Sequence, residues 1–262
     1  MSLTLTNIPR IMRAQGWTHG DKLLSKWFSR AGTQYPNYTA ADTSTVTMDW
    51  VLSYPGPKEL YDAIFAEQIW SNGPGRKVLA QRLSAWGKLT GFQQTFDQTV
   101  KPPSMLEAEY VQYRPYGGGY SGYSGYYGSS GYSSSGTSGN LVNLYSGIVA
   151  GGLNDLIAAL GAFTFRVVVA GSVTPTLPRG YEVTLTKVGV FVRDSFDFEG
   201  FQFLGFWNDS NNTVSAANPL AGTPVFNSTF QDYRNTHRMG GDFLTFSDLK
   251  VTTLSPPHTF ML

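Results

Sequence analysis

Between residues 116 and 139 the chain holds only Tyr, Gly and Ser apart from Thr137, so no packed element can be drawn through it. Gly and Ser resist ordering, and no aliphatic side chain is present to offset the entropy lost on folding. The expected state of this insert is a mobile surface loop. Its six tyrosines offer another reading, an adaptable contact surface, because Tyr supplies amphipathic area at low entropic cost. In either case the insert divides the chain: helical patterning prevails before it and strand patterning after it.

In the first part, Asn7 is placed to cap a short helix starting at Pro9, with Ile8, Ile11 and Met12 on one side and Gly16 ending it. Asp21 opens DKLLSKWFSR, where Leu23, Leu24, Trp27 and Phe28 form an inward stripe. Residues 45–54 alternate Val46, Met48, Trp50 and Leu52 against Thr45, Thr47, Asp49 and Val51, which predicts a strand ended by Pro55 and Pro57. An αα-hairpin is expected over 57–87, with Leu60, Tyr61, Ile64 and Phe65 on its first helix and Leu79, Leu83 and Trp86 on its second. From Glu109, EYVQYRPY reads as a strand.

After the insert, Asn154 caps a short helix that Gly161 stops. FTFRVVVAGSV, YEVTLTKVGVFVRD, FQFLGFWND and DFLTFSDLKVTTL follow, rich in β-branched and aromatic residues and separated by Pro, Gly and Asn clusters. The expected architecture is a single α+β domain over 1–262. Its N-terminal helices pack on a C-terminal, mostly antiparallel β-sheet or partly closed barrel. Residues 1–100 form the mainly helical part, 116–139 the disordered insert and 140–262 the β-rich part.

Composition removes several functions. At 262 residues with 41% hydrophobic content the chain can bury a large core, and 14% charged residues is well below the roughly 25% of average domains. With 19 basic and 18 acidic residues in no block, there is no electrostatic footprint for nucleic acid or an anionic membrane. The absence of Cys excludes disulfides, thiolate metal sites, iron–sulfur clusters and a Cys nucleophile. The N-terminal MSLTLTNIPRIMRAQGW lacks the apolar core of a Sec signal. The longest apolar run, 163–173, is interrupted by Arg166 and is too short to span a bilayer. A cytoplasmic protein in the producing cell is the expectation, with export by a machine that takes folded cargo left open.

Site chemistry gathers in two stretches. RDSFDFEG carries Arg193, Asp194, Ser195, Asp197 and Glu199 between two strands, with Gly200 closing the turn. Close carboxylates hold a divalent cation or push one another's pKa apart for acid/base work, yet strand ends also collect Asp and Gly as turn formers. The second stretch holds Asp232, Tyr233, Arg234, His237, Arg238, Gly240, Gly241 and Asp242. It offers a base in His237, guanidiniums in Arg234 and Arg238, and backbone N–H groups at Met239-Gly240-Gly241 that could take an anion. Equally, Gly-Gly is ordinary turn chemistry, and Arg–Asp pairs pin loops to sheets.

The catalytic candidates are therefore Asp194, Asp197, Glu199, His237 and Asp242, and the anion-binding candidates Arg193, Arg234 and Arg238. His19 and His258 have no ligand spacing, so a His-built zinc site is not expected and any metal is unknown. Ser195 lacks the G-x-S-x-G frame of a nucleophile elbow. No dinucleotide fingerprint or Walker sequence is present, and GPGRK at 73–77 lacks the phosphate-loop spacing, so no cofactor is expected. The six tryptophans read as core before they read as a ligand groove.

IPRIMRAQGWTHGDKLLSKWF, TVTMDWVL, EYVQYRP, VGVFVRDSFDFEGFQFLGFW and RNTHRMGGDFLTFSD together resemble a bacterial domain family of unknown function. Its members occur in proteobacteria near type VI secretion spike genes and polymorphic-toxin cassettes. The likeness runs over nearly the whole chain except the Tyr/Gly/Ser insert. It implies a secreted, toxin-like effector or an effector-associated protein, whose partners are a spike, an effector or an immunity protein. A non-enzymatic adaptor, chaperone or immunity protein that docks through an aromatic surface is the alternative. A capsid- or tail-like structural role is a third class, suggested by the β-rich, Cys-free composition.

Overall fold

The computed structural model describes residues 3–33, 41–117, 152–176, 178, 180–200 and 202–262. The expectations for the insert fall on residues 118–139, outside the described residues. The fold is α+β, with N-terminal helices and a C-terminal, mostly antiparallel sheet that stays open and does not close into a barrel. Chain segments gather into two compact units. Unit 1 takes Met1–Thr45, Gly117–Phe163 and Asp194–Thr245; unit 2 takes Val46–Tyr116, Thr164–Arg193 and Phe246–Leu262.

In unit 1, a 3-10 turn over Leu5–Asn7 runs straight into α1 (Ile8–Ala14), and Gly16 at φ +78° ends it as expected. Asn7 does not cap this helix. Its amide donates to the Asp209 carboxylate at 3.0 Å instead, because the preceding turn already occupies the cap position. Helix α2 (Thr18–Ser29) begins three residues earlier than the reading from Asp21, and Asp21 lies inside it, paired with Arg13 at 2.8 Å.

The start of α2 has no side-chain cap of its own. Asp155, on α6 (Asp155–Ala159), supplies one from a distant part of the chain. Its carboxylate accepts from the backbone N–H of Gly20 at 2.8 Å and of His19 at 3.0 Å, and it meets His19 Nδ1 at 2.7 Å. Gly20 permits the approach, since a Cβ there would stand 2.8 Å from the Ala158 side chain. Helix α6 is itself capped by Asn154, whose oxygen accepts from Ile157 N–H at 3.0 Å, as its sequence predicts. An acceptor at a helix start satisfies otherwise orphaned donors, so Asp155→Ala is expected to destabilise the protein by about 1–2 kcal/mol. Urea unfolding with unchanged slope would measure it; an unchanged midpoint would refute it.

The remainder of unit 1 comprises a three-stranded antiparallel sheet, β6-β5-β7, and a helix. Its strands are β5 (Phe203–Asn208), β6 (Thr213–Ser215) and β7 (Thr223–Phe226). Helix α7 (Asn227–His237) follows directly. Its sequence, NSTFQDYRNTH, has too few apolar residues to declare itself, and it buries Asn227, Phe230 and Arg234, spaced at about one turn.

Unit 2 carries the main sheet. Strand β3 (Phe163–Pro175) pairs antiparallel with β4 (Tyr181–Phe196), β1 (Gln94–Asp97) pairs antiparallel with β3, β2 (Gln112–Tyr116) lies beside β3, and β9 (Lys250–Met261) pairs antiparallel with β4. Strands β3 and β4 are Val-rich and bury Val167, Val168, Val169, Val188, Val190 and Val192 completely. DFLTFSDLKVTTL is two strands rather than one, since β8 (Phe243–Phe246) ends before Ser247 and Asp248. The expected hairpin is present as α4 (Pro55–Ala66) and α5 (Gly73–Ala85), with Asn72 capping α5. Tyr61 and Phe165 meet edge to face at 6.2 Å, which sets α4 against β3.

The strand expected over residues 45–54 is instead a helical turn, α3 (Met48–Val51). Thr47 caps it by accepting from Trp50 N–H, and the Asp248 carboxylate accepts from Met48 N–H at 2.6 Å. Met48 and Val51, three apart, are buried while Trp50 is only half-buried, so the alternation in the sequence is not the pattern that packs.

Candidate functional site

The two polar stretches meet in unit 1. Residues 194–196 close β4, which neighbours β8, and the chain then turns through Asp197, Phe198 and Glu199 toward α7. Helix α7 is fixed to this turn by side-chain amides: Asn227 donates to Glu199 O and Gln231 to Phe198 O, both at 2.6 Å. Phe198 and Phe230 stack with centroids 3.8 Å apart, and Trp27 meets both rings edge to face at 4.9 and 5.5 Å.

Beneath that stack lies a buried charge pair. Arg234 hydrogen-bonds Asp242 Oδ1 through its guanidinium and donates from Nε to Gly240 O at 2.9 Å. Trp27 Nε1 donates to the same Asp242 oxygen at 2.9 Å, and the guanidinium carbon lies 5.4 Å from the Trp27 ring centre. Asp242 is fully buried and its second oxygen has no hydrogen-bond partner among the described residues. Burial pushes the Asp242 carboxyl up to about 7; Trp27 and Arg234 oppose the rise, and the carboxylates of Asp197 and Glu199 add to it. Glu199 is also raised, by burial and by Asp197, with Arg234 working against the rise.

Asp197 and Arg234 therefore act on the carboxyls of both Glu199 and Asp242, although these come from two elements more than thirty residues apart in sequence. The space beside them is small. A cavity of about 90 Å³, lined by Phe198, Glu199, Gln231, Arg234 and Asn235, has room for roughly three waters at ~30 Å³ each.

The other candidates stand apart from this cluster. His237 is exposed at the C-terminal end of α7, with its ring 4.5 Å from that of Tyr233. Arg238 is exposed and takes the left-handed backbone that ends the helix, at φ 54°; Asp232 is exposed. Asp194 is buried within β4 and Ser195 is half-buried beside it, so both belong to the strand rather than to a turn after it. No hydrogen bond joins Ser195 and His237 among the described residues. Arg193 belongs to unit 2, where it pairs with Glu107 at 3.2 Å while Arg166 holds the same carboxylate at 2.9 Å.

Two of the three N–H groups expected to cradle an anion, those of Gly240 and Gly241, already have acceptors, as does the neighbouring N–H of Asp242. Gly240 N–H donates to Arg30 O at 2.9 Å, Gly241 N–H to Trp27 O at 3.1 Å and Asp242 N–H to Thr33 O at 3.0 Å. Glycine is required for this packing: Gly240 has φ +96°, and a Cβ there would stand 2.3 Å from the Trp27 ring. Among the described residues no group of His, Asp and Glu is arranged to hold a metal ion, and no helix is long and apolar enough to cross a membrane. Of the tryptophans, Trp17, Trp27, Trp70 and Trp207 are core, whereas Trp50 and Trp86 are half-buried. A larger hollow in unit 2, containing Trp86, involves none of the residues singled out by sequence.

A family model described as a family of unknown function, DUF6402, matches residues 3–223 and 220–262, and the chain belongs to that family. No curated protein and no solved structure matches it.

Proposed function

We propose that this DUF6402 member is an effector-associated protein of a type VI secretion locus that acts by binding another protein, as an adaptor, chaperone or immunity protein. The secretion context comes from the resemblance of its sequence elements. The binding role is supported by one observation: Arg234, Asp242 and the Gly240-Gly241 amides, the groups best suited to chemistry, are bonded to one another and to the backbone around Trp27. A charge pair engaged in this way fixes a loop to a helix. On this reading the protein resides in the cytoplasm of the producing cell and passes through the secretion system only with its partner.

A second reading, a toxin-like effector, is favoured by the action of Asp197 on the carboxyl of Glu199, which lines the small cavity, since perturbed carboxylates in a cleft are candidates for a functional site. Inducible expression in a susceptible bacterium, in the cytoplasm and then in the periplasm, separates the two. The binding reading expects normal growth in both compartments and co-purification with the co-expressed product of a neighbouring effector or spike gene. Growth arrest that folded Asp197→Ala, Glu199→Ala or His237→Ala variants abolish would overturn it in favour of the effector.

A further inference from the structure

Unit 2 contains a hollow of about 720 Å³, within the roughly 300–1,000 Å³ typical of small-molecule sites. Its origin is a fault in the main sheet. Ala170 pairs with Lys187 and Gly171 with Leu185, so Thr186 is passed over; on the other side Leu185 pairs with His258 and Lys187 with Thr253, so residues 254–257 of β9 leave the ladder opposite Thr186. A bulge on one side and a looped-out partner on the other bend the sheet and re-aim the side chains around Thr186. Gly171 makes the bend possible, since a Cβ there would lie 2.1 Å from Thr184 O.

The bend faces the end of α5 and the start of β1. Three lysines line the hollow, Lys88, Lys101 and Lys187, against one carboxylate, Asp97. Lys187 lies 3.4 Å from Asp97 and Lys101 lies 2.6 Å from Glu109, while Lys88 forms no ion pair among the described residues. Both pairs are substantially solvent-exposed, so they are weak and an incoming anion can compete for the amines. Burial acts to raise Asp97, but hydrogen bonds from the Thr99 hydroxyl and amide, together with Lys187, outweigh it and keep the carboxyl below its ordinary value. The Trp86 ring forms a wall backed by Phe96, with centroids 6.4 Å apart.

We propose that this hollow binds a small phosphorylated or sulfated molecule carrying a flat ring, with the lysines on the anion and Trp86 against the ring. Lysines act as compact point charges and suit a tetrahedral anion approached from several sides, whereas a planar carboxylate favours the fork of arginine, which the hollow lacks. Hydroxyl and amide groups from Thr95, Ser172, Thr186 and Gln93 complete a lining suited to a polar linker between anion and ring.

Isothermal titration of the full chain with AMP, phenyl sulfate, adenosine and inorganic phosphate tests this directly. One ring-bearing anion is expected to bind about tenfold or more tighter than adenosine or phosphate alone, the scale of one charge-assisted contact. Preference for AMP identifies a phosphate ester, and preference for phenyl sulfate a sulfate ester. Lys88→Ala and Lys187→Ala should each weaken that ligand about tenfold. Trp86→Leu should remove its advantage over inorganic phosphate, and Lys22→Ala, on α2, should change nothing. Ring-bearing anions that bind no better than their separate parts, or lysine variants of unaltered affinity, would overturn the proposal.

Discussion

At pH 8, where the Asp242 carboxyl is mostly ionised, replacing Arg234 with methionine is expected to cost about 3–5 kcal/mol of stability, the range for removing one partner of a buried ion pair. Methionine keeps much of the side-chain volume against Trp27, so the loss reports the charge and its hydrogen bonds rather than a cavity. Asp242 would then be buried with only Trp27 Nε1 as a donor, and the Gly240 carbonyl would lose the Nε of Arg234. The double variant Arg234→Met with Asp242→Leu removes both charges and should recover most of the loss, because replacing a whole buried pair by apolar groups is often neutral. Chemical denaturation of the four proteins gives the coupling. A single variant within about 1 kcal/mol of the parent would show the pair to be energetically idle.

The same pair shows what sequence reading can and cannot reach. Arg234 and Asp242 both stand in the sequence as polar residues flanking Gly240-Gly241, in a pattern that fits an Arg–Asp pair pinning a loop. What the sequence conceals is that Trp27, more than two hundred residues away, is the third member. The Trp27 indole is donor to Asp242 and the wall that excludes a side chain at position 240. No periodicity encodes a contact of that separation. Asp197 and Glu199 stand in the sequence as a carboxylate cluster, and they do act on Asp242, from a turn that Asn227 and Gln231 tie to helix α7.

Fold elements were legible where one face is buried and the caps are local. Asn154 caps the helix its position announces, and the valine runs of β3 and β4 are strands because both faces pack. Reading failed where the partner is remote. Asp155 caps α2 across the chain, so Asp21 looked like the better start. Asp248 and Thr47 turn residues 48–51 into a helix although their alternation is that of a strand. The hollow beside Trp86 leaves no sequence signal, because the break in pairing at Thr186 is a matter of register and not of residue type.

Stability should fall as pH rises from about 4 to about 7, and Asp242 is the reason. Its carboxyl is pushed up to about 7 in the folded chain, above an unfolded value near 4, so between these limits the native state binds the extra proton. The contribution is therefore complete below the unfolded value and is lost as pH rises through the folded one, the reverse of an ordinary salt-bridged aspartate. At about 1.4 kcal/mol per pH unit, the full span amounts to on the order of 4 kcal/mol. Asp242→Asn is the diagnostic variant: the amide oxygen can still accept from Trp27 and Arg234, but nothing at position 242 titrates. Tm measured from pH 4 to 8 should decline for the parent across this window and lie flatter for the variant, with the two curves closest at high pH if the amide is well accommodated. Parallel profiles would mean that Asp242 is ionised throughout and that Arg234, not burial, sets its charge.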